Sequence, residues 1–234
     1  MQNDKMKNNT KNLISYFIIL IAIPAVTVGG AIVFKDKKYS WVSLCVVILS
    51  LAAFFLGFEK SETTTHRMIL ISVMTALSVV GRIAFAPIPG FKPVTAMVII
   101  TAMYFGKEAG FLTGALSALI SNFYFGQGPW TPFQMFSWGI VGLIAGLISQ
   151  RLKKSKISLL SYGALSGIIF SLLMDVWTVI WAQGTFNAGY YFAAVASAAY
   201  FTALYAVSNV VFLLILAKPI GKILERIQTK YGIY

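Results

Sequence analysis

The chain has 234 residues, 58% of them hydrophobic and only 11% charged, whereas a soluble domain of that size is about one quarter charged. That balance excludes an ordinary soluble domain. The net charge of +12 does not mark a nucleic-acid partner either, because the lysines and arginines gather at the ends of apolar runs, where the positive-inside rule places them.

Residues 1–12 are basic and precede an apolar stretch with no convincing small-residue cleavage site. Residues 13–35 are also long for a signal-peptide core, so they are expected to form a retained first span. A second span is expected over 41–58, where the single cysteine, Cys45, excludes an intrachain disulfide framework and a cysteine-based metal site. The polar stretch Glu59-Lys60-Ser61-Glu62-Thr63-Thr64-Thr65-His66-Arg67 reads as a linker. Beyond it, apolar runs predict spans over 68–86, 93–105, 109–125, 132–149, 157–181 and 189–217. The run at 93–105 is short, and either starts within the preceding loop or crosses only part of the bilayer. The expected fold is therefore an all-α membrane protein, with a two-helix extension over 1–60 and a six-helix core over 61–234.

Eight spans place both termini on one side. With that side cytoplasmic, fourteen of the nineteen lysines and arginines fall on it, as the positive-inside rule requires. Lys35, Lys37 and Lys38 run against the rule. The first two spans are thus the less firmly oriented part of a multi-pass protein of the cell membrane with both termini inside.

Small residues recur every fourth position, at Ser72 and Ala76, Gly106, Gly110 and Gly114, Gly142 and Gly146, and Gly163 and Gly167. Such rows let helix backbones approach closely in lipid. A short echo, Gly114-Ala115-Leu116-Ser117 and Gly163-Ala164-Leu165-Ser166, is too brief to establish a repeat.

The outer loops of the core carry the candidate chemistry. Three prolines stiffen Ala86-Pro87-Ile88-Pro89-Gly90-Phe91-Lys92-Pro93. The segment 121–134 includes Asn122, Tyr124, Gln127, Trp130 and Gln134, and 177–191 includes Trp177, Trp181 and Tyr190. Aromatic faces and amides with few charges suit a flat or bulky uncharged ligand, although aromatic belts also line membrane interfaces. Arg82 and Asp175 lie at comparable depth in their spans. Charges inside a membrane are costly and are usually paired or functional, so an Arg82–Asp175 ion pair is expected, either closing the bundle or reaching a ligand. No catalytic constellation is present. The only histidine, His66, has no HExxH-type neighbour, and no phosphate-binding loop occurs. No enzyme activity, metal or cofactor is expected.

From Met68 to about Lys222 the chain resembles the substrate-binding S components of energy-coupling factor (ECF) vitamin transporters. The resemblance rests on Gly81-Arg82 leading into Ala86-Pro87-Ile88-Pro89-Gly90-Phe91-Lys92-Pro93-Val94-Thr95-Ala96, on Phe105-Gly106-Lys107-Glu108-Ala109-Gly110-Phe111, and on Ser121-Asn122-Phe123 with Gly126-Gln127-Gly128-Pro129-Trp130-Thr131-Pro132. It implies a six-helix protein that captures a vitamin outside, under its outer loops, and delivers it inward when docked on a transmembrane scaffold subunit with two cytoplasmic ATPases. Arg82, Phe91, Asn122, Tyr124, Gln127, Trp130, Gln134, Asp175, Trp177, Trp181 and Tyr190 are the expected ligand contacts, and Ser72 and Ala76 the scaffold-docking row. A cobalamin-type corrinoid is the favoured vitamin. Riboflavin, a pteridine or another flat ring would suit the same face, and a purely structural membrane protein is the alternative from another class.

Overall fold

The computed structural model describes residues 2–34, 39–57 and 64–232. The Lys35, Lys37 and Lys38 cluster and positions 59–63 of the expected linker lie outside the described residues. Among the described residues there are helices and no strands, so the protein is an all-α membrane protein.

The first span opens with α1 (Gln2–Phe17), widens to a π-helical turn (Ile18–Ala22) and continues as α2 (Ile23–Phe34). Pro24 lacks the amide that would bond one turn back, and the wide turn directly before it accommodates that loss. The helix α3 (Tyr39–Gly57) folds back against this span, and Ser15 Oγ donates to the Ala53 carbonyl 3.2 Å away. The core follows as α4 (Thr64–Ala84), α5 (Val94–Phe105), α6 (Lys107–Phe125), α7 (Trp130–Leu147), the short α8 (Ser149–Lys154), α9 (Lys156–Gln183) and α10 (Ala188–Tyr231).

Among the described residues, five helical stretches are long and apolar enough to cross a bilayer: Thr10–Phe34, Tyr39–Leu56, Thr65–Ala84, Lys156–Gln183 and Ala188–Tyr231. The other core helices are sheltered instead. In α5 every residue but Tyr104 is buried, and its 12 residues span roughly 18 Å. It is the central post of the bundle rather than a full crossing. Met97, Ile99, Ile100 and Met103 of α5 pack with Ile71 and Met74 of α4, Leu112 of α6, Leu159 of α9 and Leu213 of α10.

The small-residue rows hold the core together. A Cβ at Gly110 would lie 2.7 Å from the Gly142 carbonyl oxygen, and one at Gly142 would lie 2.3 Å from the Gly110 backbone. α6 and α7 therefore meet backbone to backbone. α9 and α10 do the same at Gly167, where a Cβ would sit 2.6 Å from the Ala206 nitrogen. Van der Waals contact of this kind is what binds helices when lipid supplies no hydrophobic drive. Ser72 and Ala76 differ, because both are exposed and line an apolar groove between α3, α4 and α6.

Two sequence expectations change. The supposed linker is helical from Thr64 onward, because its polar residues find partners. The Arg67 guanidinium donates to the Phe105 carbonyl at the end of α5, and the His66 ring stacks on Tyr231 at 4.8 Å. The last span also does not end at 217. α10 runs 44 residues with Pro219 inside it. Leu224 is buried in the core, Gln228 Nε2 donates to the Tyr104 carbonyl at 2.9 Å, and the Tyr104 hydroxyl donates to Glu225 at 3.1 Å. These contacts hold the helix beyond the residue that would ordinarily break it.

Candidate functional site

The alternation of helices brings the loops 85–93, 126–129 and 184–187 to one end of the core, the end that the charge distribution reads as outer. There Arg82, near the C-terminus of α4, turns inward and is only 8% exposed. Its Nη1 donates to Asn122 Oδ1 at 2.8 Å and to Ser121 Oγ. Its guanidinium lies between two rings, 4.6 Å from the Phe125 centroid and 4.9 Å from that of Trp138. The aromatic faces recover part of the cost of removing the cation from water.

Asn122 is the hub of a buried polar network. Its Nδ2 donates to Thr131 Oγ1 at 2.9 Å and to Gln134 Oε1 at 2.8 Å. Thr131 Oγ1 in turn donates to Gln127 Oε1 at 3.1 Å, and Gln127 Nε2 donates to the Leu119 carbonyl at 2.8 Å. The turn between α6 and α7 thus ties its own amides and hydroxyls to α6, whose Ser121 and Asn122 hold Arg82. Pro129 caps α7 from the other side of that turn, where proline costs no hydrogen bond.

Beside Arg82 is a small cavity of about 120 Å³ that opens to solvent. Its lining combines the polar side chains of Arg82, Lys92, Thr95, Gln134 and Asn209 with the rings of Trp138, Phe170 and Tyr205, and with Gly90, Val94 and Gly167. Trp138 and Phe170 stack at 4.9 Å, and Phe170 meets Tyr205 edge-on at 5.7 Å, so the aromatic wall is continuous. Lys92 Nζ donates to the Phe85 and Ile88 carbonyls, each at 3.2 Å, and closes the turn after α4. Partial burial, and then the charge of Arg82, push its pKa below the ordinary lysine value. Lys92 also joins the loop to α10, its amide donating to Ser208 Oγ at 3.0 Å.

Of the residues expected from sequence, Arg82 and Gln134 line this cavity. Asn122 and Gln127 are spent inside the network that holds the wall. Phe91 points away, into a cluster with Phe85 and Phe212 at 6.1 and 4.8 Å. Trp130, Trp177 and Trp181 form an aromatic row at the mouth of the bundle, with ring centres 6.0 and 6.1 Å apart. Tyr124 and Tyr190 are exposed, at 63% and 54%, and the Tyr190 amide caps the start of α10 on Asn187.

The expected Arg82–Asp175 ion pair is not formed. Asp175 is 7% exposed and its Oδ2 has no hydrogen-bond partner. Arg82 instead uses the neutral oxygens of Ser121 and Asn122 on α6, a helix packed directly against α4. Sequence reasoning missed Lys92, Thr95, Trp138, Phe170, Tyr205 and Asn209 as wall residues. Asn209 carried a legible signal, an amide in the middle of an apolar span. It bonds the Gly163 carbonyl at 3.2 Å and Ser166 Oγ at 3.1 Å.

An aromatic-walled cavity thus lies under the loops at one end of a membrane helix bundle. The model of the family described as ECF-type riboflavin transporter, S component, matches residues 62–226, and the chain belongs to that family. That family is one of transporter subunits and not of enzymes. Among curated proteins, the chain is similar to a UPF0397 protein of Vibrio atlanticus (strain LGP32), 29% identical over 91 residues that cover 37% of this chain and 50% of that protein. It is also similar to a UPF0397 protein of Aliivibrio salmonicida (strain LFI1238), 30% identical over 118 residues covering 48% of this chain and 63% of the relative. The chain therefore spans between half and two thirds of the length of these curated relatives. No solved structure matches the chain.

Proposed function

We propose that the chain is the substrate-capturing subunit of an ECF-type importer, and that it binds a flat-ring vitamin in the cavity beside Arg82. The observation that carries this reading is the run of rings Trp138–Phe170–Tyr205 beside the held cation Arg82 in the lining of one cavity. At about 120 Å³ the cavity must widen to admit a vitamin, least for a single flavin- or pteridine-sized ring, in keeping with the riboflavin type of the family's description. The bulkier corrinoid favoured by sequence would require the wall to open. On this reading the loops 85–93, 126–129 and 184–187 face outward, both ends of the chain face the cytoplasm, and delivery occurs on a membrane scaffold subunit driven by two ATPases. The exposed Ser72–Ala76 groove is the face that meets the scaffold, since small residues admit close helix approach. The 64–232 part carries capture and docking, while α1 to α3 brace it from the side.

Fluorescence titration of the detergent-solubilised chain tests capture, because Trp138 forms part of the cavity wall. A panel of flavins, pterins and corrinoids is expected to contain one ring system that quenches the emission saturably. A panel in which none does so would overturn the assignment.

A further inference from the structure

The cavity wall carries two cations, Arg82 and Lys92, and no carboxylate. Both hydrogen bonds of Arg82 leave from Nη1. Its Nε and Nη2 have no acceptor among the described residues, and the one acid at similar depth, Asp175, does not pair with it. The rings of Phe125 and Trp138 lie near the guanidinium carbon, but hydrogen bonds to a guanidinium form along its edge. A charge taken out of water without a counter-charge is destabilising unless something else supplies one. Evolution of a cavity for a neutral ring would need only the amides and hydroxyls that Thr95, Gln134 and Asn209 already place there.

We propose that the substrate bears an oxyanion, a carboxylate or a phosphate, which Arg82 receives along its Nε–Nη2 edge with Lys92 as the second cation. The proposal rests on the reading of the chain as a capture subunit and narrows it. Riboflavin itself has no group ionised at neutral pH, so the substrate is a flat ring carrying an acid group rather than riboflavin. Arg82 is held for this task by Ser121 and Asn122, which fix one nitrogen and leave the edge for the ligand.

The test uses the full chain extracted from membranes in mild detergent, as wild type, Arg82→Lys and Arg82→Gln, with released small molecules identified by mass spectrometry. Titrations with riboflavin, flavin mononucleotide and pterin-6-carboxylate accompany it. The wild type is expected to retain an acid-bearing compound, whose fragmentation separates carboxylate from phosphate, or to bind the acid-bearing probes in preference to riboflavin. Arg82→Gln should lower occupancy or affinity roughly tenfold or more, as expected for loss of a charge-assisted bond, and Arg82→Lys should retain part of it. If Arg82→Gln does not fold, Lys92→Gln, in the loop, supplies the comparison. A bound compound without an acid group, preference for riboflavin, or full binding by the glutamine variants overturns the oxyanion and leaves the capture reading standing. A wild-type chain that carries no compound and binds none of the probes overturns the capture reading itself.

Discussion

Arg82 is held by two neutral side chains that are themselves bonded in place. Ser121 and Asn122 take one of its nitrogens, and Asn122 is itself fully engaged by Thr131 and Gln134. Removing Asn122 leaves buried donors and acceptors unpaired, which costs about 1–3 kcal/mol. Asn122→Ala is therefore expected to lower the melting temperature of the purified chain as well as its ligand affinity. An unchanged melting curve would show that the network does not hold the wall. Phe91→Ala is the contrasting case. Its half-buried ring packs on Phe85 and Phe212 rather than in the cavity, so truncation should cost about 1–3 kcal/mol of packing with intrinsic affinity retained in the folded fraction. A ligand titration at low temperature separates the two effects.

At the scale of elements, the close pairs α6–α7 and α9–α10 set the dimensions of the cavity. The Gly110–Gly142 approach is between backbones, so no side chain can move aside to admit a larger residue. Gly142→Leu is expected to push α7 from α6 and destabilise the chain by about 1–3 kcal/mol, read as a lower midpoint in a thermal or denaturant melt in detergent. A wild-type midpoint would mean that the two helices do not meet as described. The same approach explains why α6 and α7 can carry Thr113, Ser117, Ser121, Asn122, Thr131 and Ser137. These residues are buried in protein, not presented to lipid, where each unsatisfied polar group is costly.

Over the whole molecule, the proposed function assigns two faces to two roles. The cavity opens at the end of the bundle, and the Ser72–Ala76 groove opens along its side, so capture and docking can be separated by mutation. Ala76→Phe, which fills the groove with a ring, is expected to abolish co-purification with a scaffold subunit while ligand titrations remain as in wild type. Joint loss of both would place the groove within the ligand site. The first two spans are part of the packed structure. Ile19, Ile23, Val46 and Ala53 share an apolar cluster with Val98 and Phe111 of the core, and Lys107 Nζ donates to the Tyr16 hydroxyl at 2.5 Å.

The sequence by itself determined the solvent and the elements. Long apolar runs with charges at their ends can only satisfy their backbone groups as helices in a bilayer, and a glycine at every fourth position marks where helices touch. It also singled out Arg82, Asn122, Gln134 and the turn at 126–129, because polar residues beside apolar spans are few enough to stand out. Tertiary structure decided what those residues do. Whether Arg82 meets Asp175 or Asn122 depends on which helices are drawn together, and the packing of α4 against α6 settled it in favour of Asn122. Trp138, Phe170 and Tyr205 are indistinguishable in sequence from aromatic packing residues. They become a wall only because α7, α9 and α10 turn one face each toward the same space, a convergence of distant segments that no local pattern encodes.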